Sequence, residues 1–319
     1  MPNIAILYQT GPATPMVLED RHIDMIRARD PGGRVLRCET ERQLVESGFD
    51  ADVLFSWGRL TPNEYCGRCT NLRWIQSLSA GAEGLMKLDC ARAPLVISKA
   101  HGVHGIPMSE SCMAYILSFL HGLHRLRDQQ KAHIWEKPDD LDECFGKTVA
   151  IVGIGDIGQE VARKCKCFGL RVIGCRRTPR PMEFVDEIYP VTQLETVLGR
   201  ADFVVCLVPE SPETRHMFGR RQFAAMKREG VFLNLGRGSV VDTGALIDAL
   251  RRGVIRGAAL DALEEEPLGA DSPLWDMENV IISPHCSADS PFYFERLMPV
   301  VCANLDRYIK GEEILHRVL

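Results

Sequence analysis

The chain has 319 residues, of which 45% are hydrophobic and 25% charged, a balance typical of soluble globular proteins. Its length predicts two domains, and its formal charge of −5 gives no reason to expect nucleic acid or an anionic membrane as a partner. The longest apolar stretch, Cys112 to Leu120, is far shorter than the roughly 20 residues that span a bilayer. A strand-like run follows Met1-Pro2-Asn3 directly, so no signal peptide is expected.

In the first hundred residues, strand-like apolar runs alternate with polar, helix-compatible segments. The five runs are Ile4–Tyr8, Arg34–Cys38, Val53–Phe55, Trp74–Ser77 and Leu95–Ser98. This alternation predicts a parallel sheet that is covered on both faces by helices. The turn after the fourth run, Ser77–Ala82, is rich in small residues and lies at the carboxyl edge of the sheet, where ligands of such sheets bind. Its backbone N–H groups are candidates for holding a carboxylate, and a plain tight turn is the alternative.

Twelve cysteines occur in the chain, mostly among apolar residues, as at Cys165, Cys175 and Cys206. Free thiols are usual at such positions, so we expect no disulfide framework. Cys66-Gly67-Arg68-Cys69 is a single C-x-x-C without a second pair or a histidine pair at zinc spacing, and we expect neither a redox role nor a bound metal there. A reducing cytoplasm fits this pattern best.

A long helix is predicted from Met108 to Arg127. Its apolar residues run nearly all the way round the helix, a pattern typical of a buried helix. At a junction between domains, the burial can equally be against another subunit. A polar loop at residues 133–140 follows, and it contains Trp135.

The stretch from Thr148 to Thr178 carries the clearest binding motif. It begins with a short, β-branched apolar run that predicts a buried strand. Gly153, Gly155 and Gly158 follow at the spacing G-x-G-x-x-G, which allows a tight turn, a close approach of backbone to a pyrophosphate, and close packing of helix on strand. An amphipathic helix and a second strand complete the unit, with the helix N-terminus where phosphate oxygens would lie. The apolar face of that helix consists of Ile157, Val161, Ala162, Cys165 and Phe168. This context predicts dinucleotide binding; a tight structural turn is the alternative.

Beyond Thr178 the alternation of strands and helices resumes and gives about six strands in this half of the chain. The further strands are predicted at Phe203–Leu207, Val231–Leu235, Gly257–Asp261 and Val280–Ser283, and helices near Arg220–Lys227 and Asp242–Arg252. Thr192-x-x-Glu195 predicts a capping box at the start of a short helix. A last helix, Phe292–Ile309, needs a surface to pack on and is expected to return to the first domain.

Polar side chains follow three strands of the second half. Arg237 stands between two glycines after one strand, the acidic segment Asp261–Glu266 follows the next strand, and His285 follows the last. These strand ends surround the place where the nicotinamide of a bound dinucleotide would lie.

Hydride transfer on a 2-oxo or 2-hydroxy acid needs groups of these three kinds. An arginine holds the carboxylate in a planar fork, a histidine exchanges the hydroxyl proton, and a carboxylate orients the histidine. Singly, Arg237 is equally well a surface arginine, Glu266 a loop charge and His285 a turn residue. Together, behind a dinucleotide motif, they predict a dehydrogenase.

These motifs resemble those of the D-isomer-specific 2-hydroxyacid dehydrogenases over essentially the whole chain. The resemblance implies that Arg237 binds the substrate carboxylate, that His285 is the acid/base, and that Glu266 orients it. It implies further that the backbone N–H groups of Ser79-Ala80-Gly81 bind the same carboxylate. The candidate cofactor contacts, from the motif and the resemblance together, are Gly153, Gly155, Asp156, Ile157, Gly158, Arg176, Arg177, Thr178, Val208, Pro209, Gly236 and Asp261.

The family fold implies two doubly wound parallel-sheet α/β domains. Residues 101–285 would form the Rossmann cofactor domain, and residues 1–100 plus 286–319 a discontinuous, flavodoxin-like substrate domain. Members of the family are usually homodimers formed through the cofactor domains, which suits the apolar helix from Met108. In some relatives a tryptophan at the place of Trp135 reaches the neighbouring subunit's substrate site; packing within its own domain is the alternative.

Two departures from the family pattern affect the cofactor. Cys286-Ser287-Ala288-Asp289 replaces a run of small residues that includes a glycine, which leaves the local cofactor contacts open. In NAD-binding forms an acid after the second strand accepts hydrogen bonds from the ribose 2′-hydroxyl. Here that place holds Arg176, followed by Arg177 and Thr178, which favour the 2′-phosphate of NADP. NADP(H) is therefore the expected cofactor; NAD(H) is the alternative, with both arginines merely solvated.

We expect an NADP(H)-preferring reductase of a small 2-oxo acid of the glyoxylate or hydroxypyruvate kind that forms the D-isomer. Formate dehydrogenases resemble the chain less, since their histidine partner is typically glutamine and here it is Glu266. Phosphoglycerate dehydrogenases often carry a C-terminal regulatory domain, and this chain ends soon after its last predicted helix. The alternative of another class is a nucleotide-sensing protein similar to the corepressors of this fold. The chain shows no partner-binding tail, and a preference for NADP does not suit an NADH sensor.

Overall fold

The computed structural model describes residues 1–8, 15–92 and 94–319. They form two compact units: unit 1 contains Met1–His104 and Asp289–Leu319, and unit 2 contains Gly105–Ala288. Each unit is built on one sheet, and all strand pairs in both sheets are parallel. The predicted fold class, two α/β units with parallel sheets, is confirmed.

Unit 1 contains five strands in the order β2-β1-β3-β4-β5. The strands are β1 (Ile4–Leu7), β2 (Val35–Cys38), β3 (Val53–Ser56), β4 (Trp74–Ser77) and β5 (Val96–Ser98). The helices are α1 (Asp20–Arg27), α2 (Glu41–Ser47), α3 (Asn63–Arg68) and, at the end of the chain, α10 (Tyr293–Ile309). All five predicted strands are present. β1, β3 and β4 are buried along their whole length, as expected for a parallel sheet that is covered on both faces.

The last helix, α10, packs into the core of unit 1. Leu297, Val301 and Leu305 recur every four residues on one face of the helix, and each is fully buried. They belong to the same apolar cluster as Ile4 and Ile6 of β1. The segment after residue 288 therefore completes the core that the first hundred residues begin.

Unit 2 contains seven strands in the order β12-β11-β10-β9-β6-β7-β8. The strands are β6 (Thr148–Val152), β7 (Arg171–Arg176), β8 (Glu187–Pro190), β9 (Phe203–Cys206), β10 (Val231–Asn234), β11 (Gly257–Leu260) and β12 (Val280–Ile282). The helices are α4 (Gly105–Leu120), α5 (Leu123–Lys131), α6 (Asp156–Cys167), α7 (Leu194–Leu198), α8 (Arg220–Ala225) and α9 (Thr243–Arg251).

The prediction of about six strands in the second half missed β8. This strand pairs only with β7, at the edge of the sheet, and each of its residues is half-buried. An edge strand of this kind lacks the long apolar run by which buried strands are identified, so the periodicity gave no indication of it.

The predicted single helix from Met108 to Arg127 is wrong. The chain forms α4 and α5 instead, with Gly122 between them at φ +60°. A glycine with a left-handed backbone just after the last helical residues is the usual way to end a helix. The predicted burial holds only for α4, since α5 has no buried residue.

The predicted capping box at Thr192-x-x-Glu195 is also wrong. Thr192 lies inside a short 3-10 turn, Val191–Gln193, that follows Pro190. The helix α7 begins at Leu194, and no side chain caps its N-terminus. An N-cap residue needs an extended backbone next to the first helical residue, and Thr192 cannot provide it from within the turn.

All twelve cysteines are free thiols. In the described part of the chain, no group of three or more His, Cys, Asp and Glu side chains is arranged to hold a metal ion. None of the helices that the described residues form is long and apolar enough to cross a membrane.

Candidate active site

The glycine motif forms the turn between β6 and α6. Gly153 has φ +89°, and a Cβ there would lie 2.8 Å from the Leu207 carbonyl carbon, so no other residue fits without strain. A Cβ on Gly158 would lie 3.2 Å from the Ile151 side chain, where α6 packs closely on β6. The space around Gly155 is open, with nothing within 4 Å of an added Cβ. The turn therefore leaves room for a pyrophosphate at the start of α6, and the dinucleotide fits these residues.

The helix α6 presents the predicted apolar face, with one exception. Val161, Ala162 and Cys165 are fully buried against the sheet. Phe168 is the C-cap residue of the helix and is 46% exposed, so its expected place on the buried face is wrong. At the other end Asp156 is exposed and Ile157 half-buried, next to the glycine turn.

The end of β7 places two arginines beside the glycine turn. Arg176 is the last residue of the strand and is half-buried, with Nη1 3.3 Å from Met182 Sδ. Arg177 is exposed, as is the following Thr178. Neither guanidinium forms an ion pair with any residue that the structure describes. The Ser211 hydroxyl lowers the pKa of the Glu213 carboxyl below its usual range, with a smaller contribution from Arg177.

Arg237 follows β10 and is held there by its backbone. The side chain of Asn234, which is buried, donates hydrogen bonds to the Arg237 carbonyl at 3.2 Å and to the Ala262 carbonyl at 2.9 Å. Its Oδ1 accepts from the Gly236 N–H at 3.2 Å. The half-buried Arg237 side chain places Nη1 3.1 Å from the Gly236 carbonyl. Asn234 thereby links the loops that follow β10 and β11.

The two glycines that flank Arg237 are required because neighbouring loops approach their backbone closely. A Cβ on Gly238 would lie 1.8 Å from the Leu263 carbonyl oxygen, and a Cβ on Gly236 would lie 2.8 Å from the Val208 carbonyl oxygen. The loops after β9, β10 and β11 therefore touch at the carboxyl edge of the sheet. Val208 itself is buried, whereas Pro209 is exposed.

His285 and Glu266 form a hydrogen-bonded pair. The Nδ1 atom of His285 lies 3.0 Å from Glu266 Oε1 and 2.8 Å from Oε2, and both side chains are partly exposed. The Glu266 Oε1 atom also accepts the Leu263 N–H at 2.9 Å, which fixes the carboxylate. Nδ1 is bound to the carboxylate, and Nε2 has no partner in the described part of the chain. The arrangement suits exchange of a proton between Nε2 and a substrate.

Asp261 holds residues 283–287, the histidine segment, which contains His285. It is buried, and its Oδ1 accepts hydrogen bonds from Ser283 Oγ at 2.6 Å, the Cys286 N–H at 2.9 Å and the Ser287 N–H at 3.1 Å. Its backbone carbonyl accepts the His285 N–H at 2.9 Å. Oδ2 accepts the Ser287 N–H at 3.2 Å. Asp261, predicted from the sequence as a cofactor contact, also provides these backbone anchors.

A second carboxylate, Glu264, anchors the loop between Asp261 and Glu266. It accepts hydrogen bonds from His216 Nε2 at 2.6 Å and from the Thr243 hydroxyl at 3.1 Å. Burial works to raise the pKa of Glu264, but these hydrogen bonds outweigh it and hold the pKa below its usual value. The loop that carries Glu266 is thus fixed at Glu264 as well as at Glu266 itself.

The small-residue turn Ser79-Ala80-Gly81 follows β4 in unit 1. The Ser79 N–H donates to Ser77 Oγ at 3.1 Å. Among the residues that the structure describes, no acceptor takes the N–H of Ala80 or Gly81. Two of the three predicted donors are therefore available for an anion.

Trp135 follows α5 and is fully exposed, so the packing within its own domain that the sequence left open is not observed. Sequence reasoning also missed Tyr115, which was assigned only to the apolar face of a helix. Its hydroxyl lies 2.6 Å from Ser283 Oγ, next to the histidine segment. A tyrosine in an apolar helix face is the available signal, since a buried phenol needs a hydrogen-bond partner.

Comparison with known proteins agrees with this geometry. Residues 113–287 match the family described as D-isomer specific 2-hydroxyacid dehydrogenase, NAD binding domain. The chain is 41% identical over 291 residues to a glyoxylate reductase of Korarchaeum cryptofilum. The matched region covers 88% of this chain and 82% of the relative.

Two further relatives extend the comparison. The chain is 30% identical over 302 residues to D-3-phosphoglycerate dehydrogenase of Methanocaldococcus jannaschii, which covers 93% of this chain but only 57% of that longer protein. An NADPH-dependent glyoxylate/hydroxypyruvate reductase of Sinorhizobium meliloti, solved in complex with NADP and sulfate, superposes with a TM-score of 0.82 at 28% identity. That comparison covers 99% of this chain and 98% of the other. The chain is therefore an oxidoreductase that belongs to the D-isomer specific 2-hydroxyacid dehydrogenase family.

Proposed function

We propose that this chain is an NADP(H)-preferring reductase that converts glyoxylate and hydroxypyruvate to 2-hydroxy acids, with the D-isomer formed at a chiral product. The observation that carries the cofactor preference is the end of β7, where Arg176, Arg177 and Thr178 stand in place of an acid. Charged donors make the stronger hydrogen bonds to a phosphate. The NADP bound to the Sinorhizobium meliloti reductase and the likeness to a glyoxylate reductase support the same proposal.

The residues of the site have distinct roles in this proposal. Arg237 binds the substrate carboxylate through its guanidinium. In unit 1, the N–H groups of Ala80 and Gly81 are candidate donors to an anion. His285 gives a proton from Nε2 to the oxygen on C2, while Glu266 holds Nδ1 and stabilises the charged ring. The nicotinamide cofactor, bound at the glycine turn, supplies the hydride to C2. Carbonyl, hydride and proton together give the hydroxyl group.

We assign the cofactor to unit 2 and the substrate-binding turn to unit 1, as the sequence predicts for residues 101–285 and for 1–100 plus 286–319. The glycine turn and the arginines of β7 support the first assignment. The N–H groups of Ala80 and Gly81, which no acceptor among the described residues takes, support the second. Twelve free thiols support a reducing compartment, the cytoplasm.

We propose in addition that the protein is a homodimer formed through unit 2. Leu123, Ile134, Trp135 and Leu141 are 44–101% exposed on and after α5. Several exposed apolar side chains in one part of the chain are typical of an interaction surface. Trp135 is the residue expected to reach the partner's substrate site. Sedimentation of the parent protein and of Trp135→Ala tests this, and a monomeric parent would contradict it.

Turnover on a panel of 2-oxo acids with NADPH and with NADH tests the proposed function. We expect the highest kcat/KM with NADPH and with glyoxylate or hydroxypyruvate. Tight binding of a nicotinamide cofactor without turnover of any 2-oxo acid would favour a nucleotide-sensing protein instead. A preference for NADH would contradict the cofactor assignment.

A further inference from the structure

Helix α4 contacts the histidine segment through two residues that lie four positions apart on one face. Tyr115 places its hydroxyl 2.6 Å from Ser283 Oγ. Ser111, one turn earlier, donates from its hydroxyl to the Ser287 carbonyl at 3.3 Å. Residues at i and i+4 face the same side of a helix. α4 therefore holds the segment on both sides of His285.

The direction of the hydrogen bonds follows from the chemistry of the groups. Asp261 Oδ1 lies 2.6 Å from Ser283 Oγ and, as a carboxylate, only accepts, so the serine must donate to it. Ser283 Oγ then accepts from the Tyr115 hydroxyl. Burial raises the pKa of the Tyr115 hydroxyl, so it keeps its proton at neutral pH and can donate. The result is a directed chain from Tyr115 through Ser283 to Asp261.

These hydrogen bonds end at the Asp261 carboxylate, which fixes the backbone next to His285. The Asp261 carboxylate accepts the N–H groups of Cys286 and Ser287, and its backbone carbonyl accepts the His285 N–H. No lysine or arginine in the described part of the chain pairs with this carboxylate. Among the described residues, the donors to the Asp261 carboxylate are all neutral: the Ser283 hydroxyl and the N–H groups of Cys286 and Ser287. A donor that is itself held by another hydroxyl keeps the carboxylate in a single orientation.

We infer that Tyr115 is a positioning residue for His285, which it orients through Ser283 and Asp261. The inference rests on the proposed function, because it takes His285 as the acid/base. Tyr115 makes no hydrogen bond to His285 in the described part of the chain, and in this inference it acts through Ser283 and Asp261.

Tyr115→Phe removes the hydroxyl and keeps the ring in the core of unit 2. We expect kcat to fall by roughly three- to tenfold, the rate factor that corresponds to one neutral hydrogen bond, with little change in the KM of the oxo acid. Amide hydrogen exchange of His285, Cys286 and Ser287 should become faster, because Asp261 is less well held. Exchange needs no turnover and reports the position of the segment directly.

Tyr65→Phe is the matched control. It removes a phenol hydroxyl that donates to the Phe49 carbonyl at 2.9 Å, in the core of unit 1. We expect a lower thermal midpoint but unchanged kcat and unchanged exchange in residues 285–287. Ser283→Ala should slow turnover as Tyr115→Phe does. The double variant should be no slower than the slower single variant, because the two residues act in series.

Faster exchange at residues 285–287 together with a lower kcat in Tyr115→Phe, and neither in Tyr65→Phe, supports the inference. Parent-like kcat in Tyr115→Phe overturns it, whether or not the exchange changes. Equal loss of kcat in Tyr65→Phe overturns it as well, because the effect is then general destabilisation. A parent protein that reduces no 2-oxo acid overturns the proposed function, and the exchange measurement then decides separately whether Tyr115 positions the segment.

Discussion

Two histidine–glutamate pairs stand at the carboxyl edge of the unit 2 sheet, and they differ in the ring nitrogen that binds the carboxylate. Glu264 binds His216 and also Thr243, which makes that pair an anchor for its loop. Glu266 binds His285 through Nδ1 and the Leu263 N–H through Oε1, which leaves His285 Nε2 available. The ring nitrogen that each histidine uses, Nε2 in His216 and Nδ1 in His285, thus distinguishes the two pairs.

This difference predicts the effect of removing each histidine. His285→Ala should lower kcat by roughly 10²–10⁴-fold, the usual contribution of general acid–base catalysis, with little change in cofactor affinity. His216→Ala removes a hydrogen bond of similar length to a carboxylate in the same loop, and it should affect kcat far less. Steady-state kinetics of the two variants decides the matter. Near-normal turnover by His285→Ala would rule out the mechanism.

Replacement of Arg237, even by lysine, should weaken binding of the oxo acid. Lysine keeps the charge but cannot form the planar, bidentate fork, so Arg237→Lys should raise the KM of the oxo acid about tenfold or more. Arg220→Lys is the control, because that arginine is exposed and paired with Asp248. Kinetics at constant NADPH measures both. If Arg237→Lys binds the acid as well as the parent does, the arginine has a structural role only.

The pairing of His285 with Glu266 could be expected from the sequence because both residues lie in loops that follow neighbouring strands of one parallel sheet. Tyr115 could not be predicted in this way. Its partner Ser283 stands 168 positions away, and only the packing of α4 on the sheet brings them together. The sequence shows which residues can donate a hydrogen bond, but a pairing over this distance depends on the tertiary structure.

At the scale of elements, we expect the end of β7 to determine which cofactor is preferred. A preference for NADPH over NADH of at least about tenfold is expected from a few charge-assisted contacts of roughly 1.5–3 kcal/mol each before solvent screening. Arg176→Asp combined with Arg177→Gln should reverse it. The preference should fall as salt rises, since exposed charges are screened within about 8–10 Å. Equal kcat/KM for both cofactors in the parent would show that the arginines do not bind the phosphate.

The edge strand β8 depends on a cluster of charges. Glu187 pairs with Arg200 at 2.7 Å and also contacts Arg171 and Tyr189. The hydrogen bonds from Arg200 and Tyr189, with the charges of both arginines, lower the pKa of Glu187 to about 2. The stabilisation is therefore present above the ordinary carboxyl pKa of 4.5 and is lost as the pH falls through about 2.

Glu187→Gln should accordingly lower the thermal midpoint at neutral pH. The difference from the parent should shrink as the pH falls from about 4.5 towards 2, because the parent's carboxylate then takes up a proton. Glu64→Gln, which removes an exposed helix pair with Arg68, should change the midpoint little at neutral pH. Melting curves across this pH range test the prediction. A difference that stays constant down to pH 2 would contradict it.

The elements that could be predicted differ from the others in burial. β6 and β9 are runs of mainly buried, apolar residues and stand out in the sequence. β8 is half-exposed and polar at its start, and it is defined by pairing with β7 rather than by its own pattern. The break at Gly122 depends on one left-handed residue within a continuous apolar pattern, which the periodicity does not reveal.

For the whole molecule, the alternation of strands and helices predicted two parallel sheets, and the motifs at the strand ends predicted the family. The same rhythm left the last helix without a partner, and the structure packs it against the strands of unit 1. The substrate within the family depends on the shape of the site, which the rhythm of elements does not encode. The proposal of glyoxylate and hydroxypyruvate as substrates is therefore based on the expected cofactor, which the arginines of β7 indicate, and on the similarity to known reductases.

The product formed from hydroxypyruvate tests the central claim most directly. The parent protein is incubated with hydroxypyruvate and NADPH, and the configuration and amount of glycerate are compared with the NADPH consumed. We expect D-glycerate in equal amount to the oxidised cofactor, because each carbonyl group receives one hydride from NADPH and one proton from His285. L-glycerate, or no NADPH consumption with hydroxypyruvate or glyoxylate, would contradict the account.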